Sequence, residues 1–297
     1  MRTVGSFAEA RAGYRGIVGL VPTMGFLHEG HLSLVAAARE ACDTVVVSLF
    51  VNPLQFDEAT DLDRYPRDLE RDAGLVTAEG ADVLFAPAVA EMYPDHPAPP
   101  ATTVGVAGVS GTMEGARRPG HFDGVATVVA KLFAGLRPDR AWFGRKDAQQ
   151  LAVVRQMARD LSFPVEVVPG DIVREADGLA LSSRNVFLRA GDRPAALGLS
   201  AGLFAAADAA ASGERSARSL ETLVADRVAR AGGRIEYATL ADATTCAPID
   251  RLDRESFLAV AARVGVVRLI DNVWLHPDGS ARRGVRLDRQ SLLYEGD

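Results

Sequence analysis

His28 and His31 stand three residues apart in VPTMGFLHEGHLSLV, residues 21–35. At that spacing both imidazoles lie on one side of a first helical turn. They could donate to phosphate oxygens as charge develops there. Pro22, Gly25 and Gly30 read as a turn after an apolar strand that ends at Val21. The helix begins near His31 and would add unpaired N–H groups and the positive end of its dipole, both attractive to phosphate. The competing reading is two surface histidines. A zinc protease is excluded by spacing, since His28-Glu29-Gly30-His31 is one residue short of H-E-x-x-H and no third ligand is evident.

Four further segments carry polar residues where a strand or loop ends. VVVSLFVNPLQF ends a strand at Asn52-Pro53, with Gln55 at its C-terminal edge. A neutral amide there can accept from a hydroxyl and donate to a carboxylate, although a turn-capping polar pair fits equally well. ARRPGHFDGVATVVAKLF sets Arg118 and His121 before a helix. Arg118 suits a phosphate or carboxylate; His121 is read first as structural. AWFGRKDAQQL gives a second strand-to-helix turn at Gly144. In it Lys146 can neutralise phosphate charge, Asp147 can cap the helix or bind ribose or metal, and Gln149 or Gln150 points into a cleft. In IVREADGLALSSRNVFL, Ser182, Ser183 and Arg184 supply two hydroxyls and a guanidinium suited to a triphosphate tail, though such a turn alone is weak evidence.

The elements that must position these groups read as α/β. Ile17–Val21, Thr44–Val51 and Val83–Phe85 are continuous apolar runs, the pattern of strands buried on both faces. LSLVAAAREACD lies between the first two as a helix, making a right-handed βαβ unit. GVATVVAKLFAGL is a helix, RAWFG a strand, AQQLAVVRQMARDL a helix, and VEVVPGDIVRE a strand pair or one long strand. The expected architecture is a Rossmann-like parallel sheet flanked by helices over residues 1–185, then a smaller C-terminal α/β domain over 186–297. In the latter, 195–232 reads as two helices, and RIEYATL and GVVRLIDNVWL as strands. Residues 56–72 are charge-dense and 94–102 proline-rich, so both read as loops.

The bulk numbers suit an ordinary globular chain. Of 297 residues, 48% are apolar and 24% charged, with a net charge of −6 and no basic run to track a nucleic-acid backbone. Cys42 and Cys246 are far apart and in no C-x-x-C pair, so both read as reduced thiols. The N-terminus lacks a signal-peptide apolar core, and no run of about 18 apolar residues free of charge is seen. The expectation is a cytoplasmic protein with neither nucleic acid nor membrane as partner.

H-x-G-H at a strand-to-helix turn resembles the nucleotide-binding signature of adenylyl-transferring enzymes related to class I tRNA synthetases. The longer string PTMGFLHEGHLSL resembles the pantothenate synthetase family, as do VNPLQF, the 116–133 segment, GRKDAQQL and the Ser182-Ser183-Arg184 loop, in that order. The resemblance covers about the first 185 residues in ordered blocks. GVVRLIDNVWL resembles where family members finish, so residues beyond Leu275 read as an extension. Three positions depart from the family pattern: Phe26 for the usual alanine, Arg145 for glutamate, and Leu181 for methionine.

The resemblance implies ATP-dependent activation of pantoate to an acyl adenylate, then transfer to β-alanine, with Mg²⁺ accompanying ATP and no tightly bound organic cofactor. It implies ATP contacts from Met24, Gly25, Phe26, Leu27, His28, Glu29, Gly30 and His31, from Gly144, Arg145, Lys146 and Asp147, and from Val173, Leu181, Ser182, Ser183 and Arg184. His28, His31, Lys146 and Arg184 are the expected catalytic groups. Gln55, Gln150 and Asn52 are expected on pantoate, with Gln55 also beside β-alanine. Asp72, with Asp68, is the candidate for Mg²⁺, the 56–72 segment a candidate lid, and the assembly a homodimer. The competing functions are another adenylyl or cytidylyl transferase of the same fold and a nucleotide sensor without catalysis.

Overall fold

The structure, a computed structural model, describes residues 1–56, 62, 63 and 65–294. Its first sheet holds β1 (Arg2–Val4), β2 (Val18–Thr23), β3 (Thr44–Leu49), β4 (Val83–Phe85), β5 (Arg140–Gly144) and β6 (Glu166–Gly170). They run in the order β1-β4-β3-β2-β5-β6, and every pair is parallel. The helices of this part are α1 (Phe7–Arg11), α2 (Glu29–Ala41), α3 (Leu69–Ala78), α4 (Val89–Met92), α5 (Met113–Arg117), α6 (His121–Leu136) and α7 (Ala148–Asp160).

The sheet is covered on both faces, which explains the continuous apolar strands. Leu20, Val46 and Phe85 point to one face with α6 and α7, while Val21, Val45, Val47 and Leu84 point to the other with α2. From β2 the chain winds outward through β3 and β4 in one direction and through β5 and β6 in the other. The strand order therefore reverses between β2 and β5, and the crevice at that reversal is where open α/β sheets take ligands. The two turns singled out in the sequence, after β2 and after β5, flank it.

The second unit is built differently from the first. Helices α8 (Arg193–Ala211) and α9 (Ala217–Arg230) pack on an antiparallel sheet of β8 (Arg234–Asp242), β9 (Ser256–Val264), β10 (Val267–Leu275) and β11 (Ala281–Arg282). Residues 190–211 are apolar enough over their length to cross a membrane, yet this stretch is a core helix. Its Leu199, Leu203 and Ala206 lie in the second hydrophobic core, and Gly202 lets α9 approach until an added Cβ would sit 3.0 Å from the Val224 backbone.

Strand β9 was not anticipated. SFLAVAARV is alanine-rich, poor in β-branched residues and without polar alternation, because both faces are buried. Leu258 and Val260 join the core beneath α8 and α9, while Phe257 and Ala259 join the core of the first unit, as does Trp274 of β10. The two units thus share a dry seam. The residues expected as a trailing extension fold back: β12 (Val285–Arg286) pairs in parallel with β7 (Val173–Arg174) in the first unit.

Candidate active site

The first turn is organised by its own histidines. His28 is the N-cap of α2; its Nδ1 accepts from Gly30 N–H at 3.1 Å, while Nδ1 of His31 accepts from His28 N–H at 3.3 Å. A ring nitrogen that accepts an N–H cannot carry a proton, so each neutral imidazole keeps its hydrogen on Nε2. Burial pushes His28 well below its ordinary pKa and His31 down to about 4, with the Lys146 charge acting in the same direction. The rings stack 4.0 Å apart, two neutral donors beside a helix N-terminus.

The second and third turns meet the first. His28, His31, Lys146, Ser182, Ser183 and Arg184 all line one cleft of about 1330 Å³ between the two units. Met24, Gly30, Gly144 and Asp147 border it as well. Ser183 Oγ donates to Phe26 O at 3.3 Å, joining the serine loop to the first turn directly. Val173 and Leu181 wall the same cleft and are tied by Leu181 N–H to Val173 O at 3.0 Å.

Gln55 and Gln150 also line the cleft. Arg118 and His121 line it too and fix the backbone of Gln55, whose carbonyl accepts from Arg118 Nη2 at 2.9 Å and lies 3.0 Å from His121 Nδ1. Gln149 is held inside the protein: Oε1 accepts from Glu114 N–H, and Nε2 donates to the carbonyls of Val109 and Thr112. Of the two adjacent glutamines, Gln150 is the one left for a ligand. Two neutral histidines, a lysine, an arginine and two hydroxyls around one crevice can take a polyphosphate, and two amides beside them a small polar acid.

The model of the pantoate–β-alanine ligase family matches residues 1–274. The chain belongs to the pantoate–β-alanine ligase family. It is 51% identical to the pantothenate synthetase of Heliobacterium modesticaldum over 274 residues, 91% of this chain and 95% of that one. The pantothenate synthetase of Roseiflexus castenholzii is 50% identical over 271 residues, 91% of this chain and 96% of its own. The crystal structure of pantothenate synthetase from Thermus thermophilus superposes with a TM-score of 0.86 at 49% identity, covering 92% of this chain and 98% of that one. A Francisella tularensis pantoate–β-alanine ligase, complexed with β-γ ATP and β-alanine, gives 0.77 at 29% identity over 92% of this chain and 97% of its own.

Several residues expected to touch ligands are instead engaged inside the protein. Asp72, the candidate for Mg²⁺, is buried and both its oxygens are engaged. Oδ2 accepts from Phe26 N–H at 2.7 Å and Oδ1 from Leu27 N–H at 2.8 Å. It holds a turn in which Gly25 and Phe26 both have positive φ, +87° and +51°. An L-residue in that region is strained by roughly 1–2 kcal/mol, which the two hydrogen bonds offset. Asp68 caps α3 by accepting from Arg71 N–H at 3.0 Å. Residues 57–61 and 64 of the candidate lid lie outside the described residues, and Tyr65, buried after them, lines the cleft.

Asn52 is likewise internal. Its Nδ2 donates to Gln55 Oε1 at 2.9 Å and to Gly124 O at 3.0 Å, and its Oδ1 accepts from Tyr93 OH at 2.9 Å. It orients Gln55, and Gly124 is small because an added Cβ would lie 2.2 Å from Leu54 O. Leu27 is fully buried in the core and Glu29 is buried beside Ser291. Arg145 lies 4.5 Å over the Trp274 ring.

Sequence reasoning missed the residues of the second unit that hold the site. Asn272 Nδ2 donates to Arg145 O and Lys146 O. Asp271 pairs with Arg174 through two contacts, at 2.7 and 3.0 Å, with both side chains buried. Glu114 takes two hydrogen bonds from Arg268 and one from Tyr237. The available signal was Arg268 and the adjacent Asp271 and Asn272 inside the mostly apolar strand GVVRLIDNVWL.

Proposed function

We propose that the ATP-dependent ligation of pantoate to β-alanine runs through a pantoyl adenylate formed in the cleft between the two units. The observation that carries it is the convergence of His28, His31, Lys146 and the Ser182–Arg184 loop on the crevice that Gln55 and Gln150 also face. A carboxylate has no usable leaving group towards an amine at neutral pH. In the first step a pantoate carboxylate oxygen attacks the α-phosphorus of ATP and pyrophosphate departs. In the second, the β-alanine amine attacks the acyl carbon, the acyl–oxygen bond breaks, AMP leaves, and the amine loses a proton.

The residues divide the work. His28 and His31, neutral and protonated on Nε2, donate to the phosphate that gains charge; Lys146 and Arg184 neutralise it; Ser182 and Ser183 bind the tail that leaves. Gln55 and Gln150 orient pantoate, so that much of the barrier is met by positioning. Magnesium enters with ATP as part of the substrate. Among the described residues no cluster of three His, Cys, Asp or Glu is placed to hold a metal. The family resemblance also leads us to infer a homodimer, which sedimentation checks. Two buried cysteines in no disulfide support a cytoplasmic setting.

Pantoate-dependent exchange of labelled pyrophosphate into ATP, with AMP release only once β-alanine is added, is the expected result. Release of ADP, or exchange without pantoate, overturns the adenylate reading.

A further inference from the structure

Residues after 274 lie outside the family match, yet they return to the nucleotide side of the cleft. Val285 N–H donates to Ile172 O at 2.7 Å and Leu287 N–H to Arg174 O at 2.9 Å, bracketing Val173 on the cleft wall. Beyond them Leu292–Tyr294 forms a single turn that packs against the Ser183–Phe187 turn and bonds to the first residue of α2.

That turn holds Glu29, the residue between His28 and Gly30. Glu29 is buried and its two oxygens accept from Ser291 OH at 2.7 Å and Leu292 N–H at 2.8 Å. Leu292 O in turn accepts from Arg71 Nη2 at 3.0 Å, and the Arg71 guanidinium lies 5.2 Å over the Phe26 ring. Two departures from the family pattern, Phe26 and the added C-terminal segment, therefore meet through one arginine. Tyr294 OH donates to Glu175 Oε1 at 3.0 Å, the oxygen that also accepts from Asn185 Nδ2 at 2.9 Å. Asn185 belongs to the turn that carries Ser183 and Arg184.

One segment thus fastens the histidine turn, the Val173 strand and the serine-arginine turn, each from the side away from the cleft. We propose that Ser291–Tyr294 is a positioning segment for ATP, setting the spacing of the histidine turn and the serine-arginine turn through Glu29, Arg71 and Glu175. The proposal rests on the adenylation reading for its ligand. Loss of the Ser291 donor leaves Glu29 Oε2 buried and unpaired while Oε1 keeps the Leu292 N–H. Glu29 is the first residue of α2, so a shift that relieves the unpaired oxygen is passed to the turn that carries His28 and His31.

The test uses the full chain carrying Ser291→Ala or Ser291→Thr, and a second variant ending at Asp288. With a charge-assisted hydrogen bond lost, Ser291→Ala raises KM for ATP, and Kd for a non-hydrolysable ATP analogue, by about tenfold. KM for β-alanine stays within about twofold and Ser291→Thr restores ATP binding, a pattern that general loosening of the fold would not give. The shortened chain shows the larger loss. Unchanged Kd in Ser291→Ala, equal rises in both KM values, or failure of threonine to restore binding overturns the proposal. Direct analogue binding separates this from the function reading, because it is measured whether or not AMP is formed.

Discussion

Asn272 reaches from β10 to Lys146 and donates to its main-chain carbonyl at 2.7 Å, sharing the same amide nitrogen with Arg145 O at 2.9 Å. The second unit thereby grips the turn after β5 by its backbone and leaves the Lys146 side chain to the cleft. Replacing Asn272 with aspartate keeps the shape and removes both donors. We expect kcat to fall about 10- to 100-fold, with a stability loss of about 1–3 kcal/mol for the two released carbonyls. Single-turnover adenylation beside a chemical melt separates the two effects. A variant that loses stability but adenylates at the normal rate would sink the positioning role.

His31→Ala and Lys146→Ala remove the donors proposed to meet developing phosphate charge. Each should lower pantoate-dependent pyrophosphate exchange by at least about 10²-fold, with far-UV CD unchanged. Near-normal exchange in either variant removes that residue from the chemistry.

Asp72 offers a choice between metal and turn. Both of its oxygens already accept backbone N–H groups, so Asp72→Asn replaces one acceptor by a donor facing a donor. Burial raises the Asp72 pKa, while the Leu27 and Phe26 amides oppose that rise. The expected result is a lower melting temperature, about 1–3 kcal/mol of stability lost, with the Mg²⁺ concentration for half-maximal rate unchanged. A several-fold shift in that concentration at unaltered stability would reinstate the metal role.

Stability should depend on pH through the histidine turn. His31 is pushed down to about 4 by burial, whereas an unfolded histidine titrates near 6.5. The unfolded chain therefore binds more protons between those values. The stabilising contribution is complete above about 6.5 and is lost as pH falls towards 4. Because His31 lines an open cleft, solvent trims the effect to about 1–2 kcal/mol. Melting curves from pH 7 to 4 should fall less steeply for His31→Gln than for the parent chain. Parallel curves would contradict the neutral-histidine arrangement.

The sequence alone determined the parallel sheet, the strand-to-helix turns and most groups that face the cleft. Buried parallel strands must be continuously apolar, and residues that serve one turn must be neighbours in the chain, so both kinds of information are local. Tertiary structure decided which polar residues are free. Asp72 and Asn52 look like ligands as residue types, but Asp72 is taken up by the Phe26 and Leu27 amides of the turn after β2, and Asn52 by Gly124 of α6 and by Tyr93 just past α4. It also decided what braces the site. Asn272 lies 126 residues from Lys146 in sequence, and Ser291 lies 262 from Glu29. No spacing rule spans such distances; only the packing of the second unit onto the first makes those residues neighbours.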